Sequence, residues 1–293
     1  MHRIRKTWVI VFLAIFLALP GAALGEMYVE GYIGGVQGAN ASMSPGYAAL
    51  DSSPPAAHAN IGSVNIPGRL DPAVLGGLKV GTWFVKEGFL GMNYPGWMKY
   101  FGFYLDFMMH RLNFRRQLGS YNDVLLQNGQ TFMTHEGDLT FWSEGFAPTL
   151  AFMFAARYGF LPDSEVPFGR LQPYVAVGPA IMFASQQPSL SFDNIRISGG
   201  VPQNPPLLIP DGTRKLESQS DATICLAAEA GLRWMALKNV SIDVSFKYRY
   251  AQPSFHYNFA NPLVFPGANP LNSVTLEPPL HLFSFQVGAA YHF

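Results

Sequence analysis

Residues 241–250 read Ser-Ile-Asp-Val-Ser-Phe-Lys-Tyr-Arg-Tyr, a strict alternation of polar and apolar side chains. The apolar face consists of Ile242, Val244, Phe246, Tyr248 and Tyr250, and the polar face of Ser241, Asp243, Ser245, Lys247 and Arg249. Side chains alternate with a period of two residues in a β-strand and with a period near 3.6 in a helix. The stretch therefore predicts a β-strand with one face in an apolar environment.

The chain ends on a second alternating stretch, residues 280–293. Its bulky face carries Phe283, Phe285, Val287, Ala289, Tyr291 and Phe293, and its other face carries Leu282, Ser284, Gln286, Gly288, Ala290 and His292. Chains seldom end on a buried phenylalanine, so a face in contact with lipid explains this ending better than a soluble core does. In lipid a sheet survives only when it closes on itself and pairs every backbone group.

Six further stretches have the same period and complete a set of eight predicted strands. Each is long enough to cross the hydrocarbon layer as a tilted strand, which takes about 9–11 residues. The eight are residues 27–36, 74–85, 97–110, 146–158, 171–183, 223–234, 241–250 and 280–293.

The connections between these stretches alternate between short and long. The short ones are residues 86–96, 159–170 and 235–239, and the long ones are roughly 37–73, 111–145, 184–222 and 251–279. Membrane barrels have short periplasmic turns and long external loops. We therefore predict an all-β fold, a single antiparallel up-and-down transmembrane β-barrel of eight strands with four long external loops. Ten strands are the alternative, with a hairpin of residues 189–193 and 194–198 in the wall.

Residues 1–25 have the pattern of a secretory signal peptide. A basic start at His2, Arg3, Arg5 and Lys6 precedes an apolar run over residues 8–19, and the small-residue site of residues 23–25 follows. An N-terminal membrane anchor is the alternative. We predict cleavage near Gly25, a barrel domain over residues 26–293 and residence in the bacterial outer membrane.

Composition narrows the classes of function. The chain has 293 residues, 13% of them charged, and 19 basic residues balance 19 acidic ones, so no nucleic-acid footprint is present. The single cysteine, Cys225, excludes an intrachain disulfide. The histidines are scattered without metal-ligand spacing, and we expect no metal and no cofactor.

Strand parity assigns eight charged side chains to the inside of the barrel. They are Glu30, Lys79, Asp106, Glu229, Arg233, Asp243, Lys247 and Arg249. An unpaired charge in a narrow lumen is costly, so we expect these side chains to pair with one another. Such a network is a structural plug or, as the alternative, a gate whose pairs exchange to admit small ions.

Residues 26–293 resemble the OmpA-type family of small outer-membrane β-barrel domains. The resemblance lies in the closing residues Phe285, Val287, Ala289, Tyr291 and Phe293, and in the opening Tyr-Val-Glu-Gly-Tyr-Ile-Gly-Gly of residues 28–35. It implies that the closing pattern is an assembly signal read by the barrel-assembly machinery. The peptidoglycan-binding domain of many relatives has no counterpart here, so the resemblance does not extend to cell-wall tethering.

Only one set of residues suggests catalysis. Ser254 and His256 would share a strand face, with Glu277 approaching from a facing strand. Lipid A deacylase-type barrels carry the histidine before the serine, and Pro253 disturbs the strand at this point. We therefore expect no enzymatic activity, and a lipid A-modifying enzyme is the least favoured alternative.

The leading hypothesis is a structural or surface-interaction barrel whose work lies in its long external loops, since such loops are uncommon unless functional or disordered. The alternative is a narrow channel for small solutes or ions. Expected partners are outer-membrane lipid and lipopolysaccharide, the barrel-assembly machinery, and an extracellular ligand bound by loops that include residues 207–209 and 263–265.

Overall fold

The computed structural model describes residues 26–51, 58–85, 94–199, 213–260 and 271–293. The predicted signal peptide and the loop stretches 207–209 and 263–265 lie outside the described residues. The strands are β1 Glu26–Gly38, β2 Gly46–Asp51, β3 His58–Asn65, β4 Ala73–Trp83, β5 Phe101–His110, β6 Phe114–Gln127, β7 Gln130–Phe146, β8 Thr149–Arg157, β9 Leu171–Gly199, β10 Thr213–Lys215, β11 Gln219–Leu237, β12 Val240–Ala251, β13 Phe255–Ala260, β14 Leu271–Leu276 and β15 Leu280–His292.

Eight strands close into a ring in the order β1, β4, β5, β8, β9, β11, β12 and β15, and every neighbouring pair is antiparallel. The register that joins β15 to β1 runs from Tyr28↔His292 to Gly38↔Leu282 and completes the ring. Closure removes the unpaired edges that an open sheet would expose. The prediction of an eight-stranded antiparallel barrel is confirmed.

Two details of the predicted strands are wrong. The ten-stranded alternative fails because residues 189–198 lie within the single long strand β9 and form no hairpin in the wall. The third predicted strand begins too early, because Gly96–Tyr100 forms a short 3-10 helix before β5. Among the described residues, no helix is long and apolar enough to cross a membrane.

The long connections all leave the same end of the ring, and much of their length is folded as sheet. Strands β9, β7, β6, β3 and β2 are hydrogen-bonded in that order above the ring, and we call this the upper sheet. The β6–β7 hairpin turns at Asn128 and Gly129, whose φ angles of 50° and 78° suit the two-residue turn that matches strand twist. The parts predicted as loops are therefore largely strands that extend the barrel wall.

The outer surface of the ring carries an apolar belt. The outward side chains of β5 are the exposed Phe101, Leu105, Phe107 and Met109 and the half-buried Phe103. Similar exposed residues cover the other wall strands, including Phe154, Val177, Leu226, Phe246 and Phe285. Soluble proteins rarely expose a continuous apolar surface of this extent. A belt of this kind around a closed barrel is the surface that contacts hydrocarbon in a membrane.

The upper sheet folds over its own apolar core. Side chains that the sheet and the β13–β14 hairpin turn inward are buried, among them Met43, Ile66, Leu139, Phe141, Phe255 and Val274. A cavity of about 50 Å³ remains between them. This is far smaller than the roughly 300–1,000 Å³ of a typical small-molecule site. The described apolar core of the upper sheet is thus closely packed at the upper end of the barrel.

At the opposite end, a compact turn joins β8 to β9. The Asp163 carboxylate accepts backbone N–H groups from Val166 at 2.7 Å and Glu165 at 3.0 Å, and it pairs with Arg170. These hydrogen bonds lower the pKa of Asp163 below its ordinary value, and the bond from the Val166 N–H contributes most. Arg170 also donates to the carbonyl of Met235 at 3.2 Å, which ties this turn to the next strand pair.

Inside the ring, tyrosine rings lie over glycines of the neighbouring strands. Gly81 is opposite both Tyr28 and Tyr104 in the registers of β4. A Cβ atom at position 81 would lie 2.6 Å from Tyr104 Cβ and 2.8 Å from the Tyr28 ring, closer than real Cβ contacts allow. Glycine at this position therefore makes the space that both rings occupy.

We predict that Gly81→Val destabilises the barrel by about 1–3 kcal/mol or more, because overpacking forces neighbouring side chains out of place. Gly35→Val is the matched control, since no atom lies within 4 Å of the added Cβ on the outer face of β1. The temperature at which the folded band is lost on a gel measures both variants. Equal loss temperatures for the two would contradict the packing argument.

Candidate functional site

The lumen contains all eight charged residues that strand parity assigned to it. Each is almost fully buried, with at most 4% of its surface exposed. They lie on five strands: Glu30 on β1, Lys79 on β4, Asp106 on β5, Glu229 and Arg233 on β11, and Asp243, Lys247 and Arg249 on β12. The structure brings seven of them into one network of ion pairs.

Lys79 lies at the centre of this network. Its ammonium group is 2.9 Å from Glu30 Oε1 and 2.7 Å from Glu229 Oε1, and Asp243 Oδ1 lies 4.0 Å away. Glu30 is its direct partner in the β1–β4 register, whereas Glu229 reaches it across the lumen from β11. The contact between Lys79 and Glu229 thus spans the interior of the ring.

Two further cations complete the network. Lys247 pairs with Asp106 and lies 2.8 Å from Glu229 Oε2, so Glu229 accepts from two lysines. Arg233 bridges Glu30 Oε2 at 2.8 Å and Asp243 Oδ2 at 3.3 Å. Four carboxylates and three cations are therefore interlocked, and each carboxylate has at least one cationic partner.

Tyrosine hydroxyls satisfy carboxylate oxygens of the same network. Tyr32 donates to Asp106 at 2.5 Å, Tyr104 donates to Glu229 at 3.0 Å, and Tyr174 is 2.7 Å from Glu229 and 2.8 Å from Asp243. The sequence analysis missed these tyrosines, although their inward parity was available as a signal. Buried carboxylates need such hydrogen bonds as well as counter-charges.

Arg249 is an exception to the expected mutual pairing. No described carboxylate lies within 4.0 Å of it, and its guanidinium donates instead to Thr149 at 3.3 Å and to Nε2 of His110 at 3.1 Å. His110 Nδ1 lies 2.8 Å from the carbonyl of Arg111, which fits a neutral ring that accepts from Arg249. Arg249 lies above the network and offsets its excess negative charge from a distance.

A second ionic group lies near the short-turn end. Arg157 pairs with Glu26, donates to Gln172 at 2.9 Å, and lies 4.1 Å from the centroid of the Trp83 ring and 4.2 Å from that of Phe168. The sequence analysis did not single out this group. Charged groups therefore fill the lumen at two depths.

The upper sheet holds a buried polar pair of its own. The Asp123 and His135 side chains are fully buried, with Asp123 Oδ2 and His135 Nδ1 3.8 Å apart. The pKa of Tyr121 is raised to about 12, mainly because its hydroxyl is buried and to a lesser extent because Asp123 is close to it. The sequence analysis placed these residues in a loop and could not anticipate that they share an interior.

Four residues of the expected assembly signal lie on the outer face of β15, and the fifth, Phe293, directly follows that strand. Phe285, Val287, Tyr291 and Phe293 have 43–74% of their surface exposed, and Ala289 is exposed beside them. The Phe293 N–H donates to the carbonyl of Met27 at 2.9 Å, which fastens the end of the chain to β1. The structure thus presents this row of side chains outward, and its role in assembly stays a prediction.

The structure does not assemble the suggested catalytic group. Ser254 donates to Glu277 at 3.2 Å, while His256 Nδ1 is 2.8 Å from Thr275 Oγ1. Among the described residues, Ser254 and His256 form no hydrogen bond with each other. Likewise, no group of three or more His, Cys, Asp or Glu in the described ranges could hold a metal ion.

No family model matches the sequence, and no curated protein matches it as a relative. Among solved structures, OprG of Pseudomonas aeruginosa is similar with 13% identity, a TM-score of 0.38, and coverage of 92% of this chain and 96% of that one. Neisserial surface protein A has 10% identity and a TM-score of 0.28, and the match covers 91% of this chain and 97% of that one. Ail of Yersinia pestis has 13% identity and a TM-score of 0.30, and the match covers 92% of this chain and 99% of that one. At such TM-scores the likeness carries no argument, and the barrel is established by its own strand pairing.

We predict that Glu229→Ala costs about 3–5 kcal/mol of stability, because it leaves two buried lysines short of a partner. The matched control is Glu165→Ala, which removes an exposed partner of Arg170 and costs about 0–1 kcal/mol. Urea unfolding of the purified barrel, followed by tryptophan fluorescence, measures both. A Glu229→Ala barrel as stable as the control would refute the network.

We predict different costs for the two upper cations of β12. Lys247→Met leaves Asp106 and Glu229 without their shared partner and costs about 3–5 kcal/mol, as breaking a buried pair does. Arg249→Met breaks no ion pair and costs less than half as much. The same urea unfolding compares the two, and equal losses would show that Arg249 is held as tightly as Lys247.

Proposed function

We propose that this chain is an outer-membrane barrel with a closed lumen, and that it acts as a surface-interaction protein through its upper sheet, which would lie outside the cell. The observation that carries the proposal is the contrast between the two halves of the molecule. The ring is filled by mutually paired charges, whereas the long connections build a large ordered surface above it.

The membrane part of the proposal rests on the outer belt and the closed ring. Outward side chains of β5 are apolar from Phe101 to Met109, about the nine residues that a tilted strand needs to cross hydrocarbon. A helical bundle cannot account for this belt, since the wall consists of strands. A barrel in the bacterial outer membrane meets these requirements, with the long connections on the cell surface.

The closed lumen follows from charge and packing together. A conducting pore needs water or exchangeable sites along its axis. Here the ammonium groups of Lys79 and Lys247 each contact two carboxylates, and buried tyrosines donate hydrogen bonds to the same network. The apolar core of the upper sheet then covers the ring at the end where the long connections leave it.

A narrow ion channel is the second candidate, and one observation favours it. Glu229 is shared by Lys79 and Lys247, so either lysine keeps a carboxylate if its contact with Glu229 breaks. Exchange of pairs around Glu229 would open a path without leaving a charge unpaired. No enzymatic role is proposed.

Planar bilayer recording separates the two candidates. Outer-membrane fractionation and a gel band that shifts on boiling first establish that the barrel is inserted and folded. We expect the wild-type protein to give no reproducible openings, because its lumen is filled by paired charges. Wild-type openings that grow in the Glu229→Ala variant would contradict the closed barrel and support the channel.

A further inference from the structure

A cluster of arginines lies directly above the apolar belt on one side of the barrel. Along the outer face of β5 the belt ends at Met109, and the next outward residue is Arg111. Between the buried Phe114 and Gln117 the ladder shifts register, which leaves Arg115 and Arg116 both exposed. Arg69 lies beside them. We call these four residues, Arg69, Arg111, Arg115 and Arg116, the rim arginines.

Three of the rim arginines are free to bind an anion. Arg115 lies 3.5 Å from Asp71, but no described carboxylate lies within 4.0 Å of Arg69, Arg111 or Arg116. Of the other described cations outside the lumen, Lys99, Arg170 and Lys238 lie at the short turns, and Arg196 lies higher on the upper sheet. Arg214 and Lys215 lie near the height of the rim arginines but on β10, three strands away from β6. Positive charge at the level of the lipid headgroups is thus densest at the rim arginines.

A polar groove of about 540 Å³ continues the same face above the rim arginines. It begins about 13 Å beyond Arg116, four residues further along β6. Cross-strand registers align its side chains in two rows, the first being Ser63, Asn122, Glu136 and Arg196, and the second Asn65, Ser120 and Asp138. Asn194 donates to Asp138 at 2.6 Å at one end of the groove.

The chemistry of the groove is that of a hydroxyl-rich ligand. Serine, asparagine, carboxylate and guanidinium groups together supply donors and acceptors in close succession, as neighbouring sugar hydroxyls require. In the register Glu136 lies opposite Arg196, yet no ion pair within 4.0 Å joins them among the described residues. Their hydrogen-bonding groups are therefore available to a ligand.

We propose that this face binds a phosphorylated glycolipid of the outer leaflet, an inference that rests on the proposed membrane location. The acyl chains would lie on the belt beside Phe107 and Met109. The phosphates would lie on the rim arginines, whose planar donors suit phosphate oxygens. The saccharide would extend into the polar groove. One exposed leucine, Leu118, lies between Arg116 and the polar groove. Apart from it, the order of apolar, cationic and polar surfaces along β5 and β6 matches the order of parts in such a lipid.

The test uses the folded full-length barrel in detergent, titrated with lipid and followed by native mass spectrometry. The probes are diphosphorylated lipid A with its core saccharide, the same lipid without the saccharide, and phosphatidylglycerol. The double variant Arg111→Gln/Arg116→Gln is compared with Lys99→Gln/Lys238→Gln, which removes two cations at the other end of the barrel. Each pair contains one cation lying over an aromatic ring, so the controls match.

We expect the rim variant to bind both lipid A probes about 10- to 30-fold more weakly than wild type, and the control pair to bind them unchanged. Asn122→Ala should weaken only the probe that carries the core saccharide. Equal binding by the rim and control variants, or wild-type binding of phosphatidylglycerol as tight as that of lipid A, would overturn the inference. Neither result bears on the closed lumen, which bilayer recording tests separately.

Discussion

The backbone pairing of β15 with β1 is the constraint on which the rest of the structure depends. A sheet in hydrocarbon has no water to satisfy its edges, so it persists only when the first and last strands meet. That closure fixes the parity of every wall strand, because side chains must alternate between the lipid face and the lumen. Once Glu30 and Gln286 are turned inward, Val29 and Phe285 are turned toward lipid, and the same logic propagates around all eight strands.

The inward charges must then balance one another in a small, poorly hydrated lumen. Ion pairs and tyrosine hydroxyls satisfy the carboxylates, and glycines on neighbouring strands make room for the tyrosine rings. Four carboxylates meet three cations in direct contact, and Arg249 provides the fourth positive charge from above. A network of this kind gives little net stability over an apolar core, but the loss of any one partner is expensive. It therefore favours one arrangement of the interior and suits a barrel that stays shut.

The proposed function lies where the wall extends beyond the apolar belt. Strands β6, β7 and β9 carry the hydrogen-bond ladder beyond that belt, so the described part of the surface above it is largely sheet. Along one outer face that surface changes from aromatic to cationic to hydroxyl-binding. This change in surface chemistry follows the order of layers in a membrane, from hydrocarbon to headgroup. The proposed glycolipid site therefore depends on the same closed barrel that sets which side chains face outward.

The sequence by itself determined the eight wall strands, their parity and the eight inward charges, because alternation with a period of two is a local property of each segment. It did not determine which charges meet across the lumen. Lys79 and Glu229 are separated by 150 residues, and only the curvature of the closed ring brings them within 2.7 Å. For the same reason the isolation of Arg249, the burial of Asp123 with His135, and the failure of Ser254 to reach His256 were decided by tertiary structure. Most of the upper sheet was also missed, since its strands alternate weakly and are stabilised by pairing with distant neighbours.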